Sequence, residues 1–146
     1  EIKECWFLAN STHVTDLAFH LCGFPKEFEA WQEGSLSWHP SSSRFCGSGI
    51  TENEVLFSYH ADWGAPGRWG VEVLTQKNRY ILKPLEELKV IELGSIHSES
   101  IQIDDQKDKE FKPGLFNQVK AFLSGDYRLF CTINDQLQHI DIYNKI

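Results

Sequence analysis

The chain has 146 residues, 41% of them apolar and 24% charged, which is enough for one domain with a real core. A formal charge of −7 and the lack of any run of Lys or Arg exclude a surface built for nucleic-acid phosphates. No apolar stretch approaches the roughly 20 residues that span a bilayer as a helix. Four cysteines, Cys5, Cys22, Cys46 and Cys131, lie far apart without a Cys-x-x-Cys pair. Buried free thiols of a cytoplasmic protein are therefore expected.

The first predicted element is a helix over 11–22. Asn10, Ser11 and Thr12 each carry a side-chain oxygen able to cap the free N–H groups of a helix start. Val14, Leu17, Ala18 and Leu21 follow at the i, i+3, i+4, i+7 spacing of one buried face. Gly23 closes the helix and Pro25 forbids its continuation. His13, Asp16 and His20 fall on a neighbouring stripe. Their i, i+3, i+7 spacing is wider than the i, i+4 pair of zinc-binding helices, so no metal is expected there. An imidazole at the first turn of such a helix is a candidate for chemistry, since neutral imidazole is a base near pH 7.

A short turn or helix is expected over 26–32, and strands and turns from 34 to 93. The triplet Gly47-Ser48-Gly49, flanked by Arg44-Phe45-Cys46 and Ile50-Thr51, reads as a hairpin turn. Val55, Phe57, Tyr59, Ala61 and Trp63 alternate with Leu56, Ser58, His60 and Asp62, the period of a half-buried strand. Residues 69–75 and 78–83 read as a hairpin around Gln76-Lys77, followed by a strand over 88–93. The acidic segment 94–112 reads as a solvated loop.

Pro113 opens a helix that ends at Gly125, with Leu115, Phe116, Val119, Phe122 and Leu123 as its buried stripe. Thr132 and Asp135 resemble a capping box before a last helix with Ile133, Leu137 and Ile140 inward. Together these elements predict an α+β fold: an open, mainly antiparallel β-sheet with helices packed on one face. Five tryptophans and ten phenylalanines exceed what one thin layer of helices needs to hide. The other sheet face is therefore expected to pack on a second subunit, making the protein a homo-oligomer.

Two aromatic and polar runs suit a carbohydrate, Trp38-His39-Pro40-Ser41-Ser42-Ser43-Arg44 and Asp62-Trp63-Gly64-Ala65-Pro66-Gly67-Arg68-Trp69. Indole faces cover the apolar side of a sugar ring while Arg, His and Asp bond its hydroxyls. This makes Trp38, His39, Trp63 and Arg68 candidate substrate-binding residues, with Asn10 as a further polar contact beside His13. The same tryptophans also read as sheet-face or interface anchors.

The segment holding His13, Asp16, Leu17, Gly23 and Pro25 resembles a motif of the glucose-fructose oxidoreductase and inositol dehydrogenase family. That motif has the form Asp-x-Gly-x-His-x-x-Asp, followed by an apolar helix and a Gly-x-Pro turn. Looser matches follow in the same order at 63–69 and 111–123, so the resemblance covers most of the chain. It implies the family's C-terminal substrate-binding and oligomerisation domain over 1–146, with an open sheet that pairs subunits. It also implies a sugar or polyol substrate, and His13 as the proton acceptor. The family's first aspartate is replaced by Ala9.

The family's NAD or NADP sits on a Rossmann domain with a Gly-rich turn, and its lysine lies in a Glu-Lys-Pro segment. Neither is found in these residues. Since the chain opens on Glu1, a piece of a longer polypeptide is expected, binding no cofactor and inactive alone. The alternative is a non-enzymatic carbohydrate-binding or subunit-assembly module.

Overall fold

The computed structural model describes residues 6–38, 42–128 and 130–146. It is α+β with open antiparallel sheets, as the sequence predicts, but the strands divide between two sheets. A three-stranded sheet has the order β1-β2-β3 and a four-stranded sheet the order β4-β5-β6-β7. The chain folds into two compact units, residues 1–71 with 137–146 and residues 72–136. Among the described residues, no helix is long and apolar enough to cross a membrane.

In the first unit a π-helical turn, Phe7–Ser11, runs directly into α1, Thr12–Cys22. The expected capping at 10–12 is thereby replaced. Ser11 makes no side-chain cap bond, and the Thr12 hydroxyl donates back to the Leu8 carbonyl at 2.7 Å. A hydroxyl inside continuous helix finds a carbonyl four residues back more readily than a free N–H. The buried positions of α1 are Thr15 and Phe19, and Leu21 stands half exposed, so the inward face is rotated from the expected one. Phe19 turns the helix because its ring meets Phe24 at 5.7 Å and Phe57 at 5.3 Å. Gly23 ends the helix at φ +96°, donating its N–H to the Phe19 carbonyl at 2.7 Å.

Residues 26–32 are not a turn or helix but part of strand β1, Pro25–Glu33, paired along β2, Arg44–Thr51. The expected turn at Gly47-Ser48-Gly49 lies inside β2, which pairs on its other side with β3, Leu56–Asp62. These glycines leave room for rings: a Cβ at Gly47 would stand 2.5 Å from the Tyr59 ring and 2.6 Å from the Glu29 carbonyl oxygen. A Cβ at Gly49 would meet Phe28 and the Glu27 carbonyl. Strand β3 keeps its predicted alternation, with Phe57, Tyr59 and Ala61 turned inward. The core cluster joins Trp6, Phe7 and Phe45 to Tyr143 and Ile146 from the other end of the chain. Burying each of these large side chains contributes on the order of 1.5–3 kcal/mol.

In the second unit β4, Val71–Leu74, begins at the boundary and leads through a tight turn to β5, Asn78–Leu82. The Thr75 hydroxyl closes that turn, accepting from the Asn78 N–H at 3.0 Å and donating to its carbonyl at 3.0 Å. Strand β6, Leu88–Glu92, and the short β7, Glu99–Ile101, complete the sheet. The segment expected to be a solvated loop therefore holds β7 and a short helix α2, Gln106–Glu110, although it is largely exposed.

Helix α3, Leu115–Ser124, forms as predicted, yet Leu115, Val119, Phe122 and Leu123 stand exposed instead of buried. Leu115, Val119 and Leu123 border an open apolar groove of about 590 Å³ that also takes in Phe111 and Phe116. The capping box is present: the Thr132 N–H and hydroxyl bond Asp135 Oδ2 at 2.8 and 2.7 Å, and the Asp135 N–H returns to the Thr132 hydroxyl. It starts α4, Ile133–Tyr143. Ile133 and Leu137 are exposed, and His139, Ile142 and Tyr143 turn inward in their place. Against the expected burial, Cys22 is half-buried and Cys46 and Cys131 are exposed, and Cys5 lies outside the described residues.

Candidate functional site

His13 stands exposed at the first turn of α1, and its ring lies 6.0 Å from that of Trp69 at 45°. Asn10, three residues earlier in the π-helical turn, is half-buried, and Ala9 is exposed. The imidazole is thus open to solvent, one of its neighbours being an indole from the loop that precedes β4.

A second aromatic group lies in the same unit. Trp6 is 5% exposed and donates its indole N–H to the Ser42 carbonyl at 2.9 Å. It forms the floor beneath Trp63, 5.1 Å away, and Trp63 meets Trp38 edge to face at 5.3 Å. Trp63 and Trp38 remain 45% and 37% exposed, so each is partly open to solvent. The loop is anchored by the Trp63 N–H to the Ser43 carbonyl at 3.0 Å, and Asp62 Oδ1 accepts the Gly64 N–H at 2.8 Å. The structure brings Trp38 to Trp63 and His13 to Trp69. Arg68 is exposed in the same loop, and His39 lies outside the described residues.

A third cluster was not singled out from sequence. Asp16 Oδ1 accepts the Tyr143 hydroxyl at 2.7 Å and lies 3.6 Å from His139 Nδ1. The His139 ring stacks on Phe24 with centroids 3.6 Å apart and planes 20° from parallel. Its Nδ1 is buried without a hydrogen-bond partner. The local signal was the spacing of His139 and Tyr143, four apart on one helix face. Nothing local links them to a carboxylate more than 120 positions earlier. A different buried group, Tyr59, also has an unpartnered hydroxyl; burial pushes its pKa up to about 12, and the nearby Cys46 adds to the shift.

The glycine pairs do not fit a nicotinamide dinucleotide. Gly47 and Gly49 sit within β2, where rings and carbonyls occupy the space a phosphate would need. Gly64 and Gly67 lead into β4 rather than into a helix N-terminus, where a pyrophosphate is ordinarily held. Among the described residues, no group of three or more His, Cys, Asp or Glu side chains is placed to hold a metal. No family model, curated protein or solved structure matches the chain.

Proposed function

We propose that this chain is the substrate-binding and subunit-assembly domain of a cytoplasmic NAD(P)-dependent sugar oxidoreductase, of the glucose-fructose oxidoreductase and inositol dehydrogenase type. The dinucleotide is supplied by a domain outside these 146 residues. His13 takes a proton from a sugar hydroxyl, and Trp38 and Trp63 pack on the sugar ring, with Asn10, His39 and Arg68 as polar contacts. The single observation that carries the reading is the exposed imidazole of His13 against Trp69, within the segment that resembles the family's His-x-x-Asp motif. An imidazole built into the core would not be available to a substrate.

Assembly uses the outward face of β1–β3. There Trp31, Cys46 and His60 form one cross-strand row, and Trp31 is 57% exposed. The homo-oligomer is tested by light scattering after chromatography, with Trp31→Lys expected to shift the mass to the monomer.

The enzymatic reading is tested on the chain expressed with its upstream reading frame, by following NAD(P) reduction with a panel of sugars, polyols and nucleotide sugars. His13→Ala is expected to lower kcat by about 10² or more, the usual contribution of a positioned base, with NAD(P) affinity intact. An unchanged kcat rejects the base assignment.

The second reading, a non-enzymatic sugar-binding module, is favoured by Ala9 standing where the family has its aspartate. It predicts sugar binding by calorimetry that Trp63→Ala abolishes and His13→Ala leaves unchanged.

A further inference from the structure

We propose that His139 is an acid–base group of this chain. Asp16 holds it in one tautomer, so that Nε2 is the nitrogen offered to a hydroxyl-bearing ligand. The inference does not depend on the sugar oxidoreductase reading.

The argument starts from Nδ1, which is buried and has no hydrogen-bond partner. Among the described residues, the carboxylate oxygen within 4.0 Å of it is Asp16 Oδ1, at 3.6 Å. A lone pair on the buried Nδ1 would face that carboxylate, which is repulsive. A proton on Nδ1 makes the same approach attractive, and a carboxylate beside one ring nitrogen ordinarily sets the tautomer in this way. The neutral ring then carries its lone pair on Nε2.

Two neighbours hold this arrangement. The Tyr143 hydroxyl donates to the same Oδ1 at 2.7 Å and fixes the carboxylate, while Phe24 covers one face of the imidazole. The side chain of His139 keeps 14% of its surface exposed. Since Nδ1 is enclosed, that exposure belongs to the rest of the side chain. An unprotonated Nε2 there accepts a proton or a hydrogen bond from an O–H group.

The test is long-range proton–nitrogen NMR on the folded, nitrogen-labelled chain at about pH 8.5, where imidazoles are ordinarily neutral. His139→Gln assigns the signals. The expected result is a protonated Nδ1 and an unprotonated Nε2 in the wild type and in Tyr143→Phe, with that preference lost in Asp16→Ala. A proton on Nε2 in the wild type overturns the proposal, as does an unaltered pattern in Asp16→Ala. If Asp16→Ala does not fold, the wild-type pattern alone decides. Access to Nε2 is read by treatment with diethyl pyrocarbonate and peptide mass spectrometry. Carbethoxylated His139 is expected, and its absence from the folded chain rejects the offered nitrogen.

Discussion

The Tyr143 hydroxyl and Asp16 Oδ1 are joined by a 2.7 Å hydrogen bond that ties α4 to α1 across 127 positions. Tyr143→Phe keeps the ring and removes the hydroxyl that makes this bond. The Asp16 side chain is 42% exposed, so water partly replaces the lost partner. The expected cost is about 1 kcal/mol, below the range for hydrogen bonds to fully buried charges, and urea unfolding measures it directly.

Tyr59 supplies the opposite case, because its buried hydroxyl has no partner to lose. Tyr59→Phe is expected to be neutral or stabilising by up to about 1 kcal/mol. The pH dependence has a definite sign. Folded Tyr59 keeps its proton to about pH 12, whereas an unfolded tyrosine releases it near 10. Above pH 10 the unfolded chain therefore binds fewer protons, and Tyr59's contribution to stability is lost as pH rises toward 12. Thermal unfolding between pH 9 and about 11.5 should show a steeper decline for the wild type than for Tyr59→Phe.

The strand glycines separate space from flexibility. Gly47→Ala drives a methyl into the Tyr59 ring and the Glu29 carbonyl, and should cost about 1–3 kcal/mol or more because the backbone cannot yield. Gly67→Ala meets nothing within 4 Å. It should be neutral or stabilising by about 0.4–1 kcal/mol through the unfolded chain. Equal losses in denaturant midpoint for the two variants would contradict the packing described for β2.

Thr51 is 0% exposed, and its hydroxyl serves two backbone groups. It donates to the Cys22 carbonyl at 3.0 Å and accepts the Val55 N–H at 3.2 Å. Thr51→Val preserves shape but removes both bonds, leaving the Cys22 carbonyl its 3.4 Å bond from Asn53 Nδ2, at an expected cost of about 1–3 kcal/mol. Hydrogen exchange at Val55 should accelerate more than exchange at the β2–β3 ladder as a whole.

Much of the fold was legible where a pattern is local. The alternation of Phe57, Tyr59 and Ala61, the hairpin at Gln76-Lys77 and the Thr132–Asp135 box each follow from residues within a few positions of one another. Strand β1 was missed because its glutamates and alanine suit a helix as well as a strand. Pairing with β2 decides between them, and that pairing is not written in β1 itself. Gly47 and Gly49 looked like a turn because only the rings of Phe28 and Tyr59, brought in from neighbouring strands, explain a glycine in mid-strand.

The candidate site divides in the same way. His13 and the tryptophan runs stand out locally by composition, but the partnership of Asp16 with His139 and Tyr143 exists only once the chain has folded.

The core that joins Trp6, Phe7 and Phe45 to Tyr143 and Ile146 also sets an order of events during synthesis. Residues 72–136 are contiguous, whereas the unit that holds His13 takes in residues 137–146 and waits for them to be made. Until then the rings of Trp6 and Phe45 lack their final cover, so a nascent chain stalled before residue 143 would be the form most exposed to chaperones and proteases.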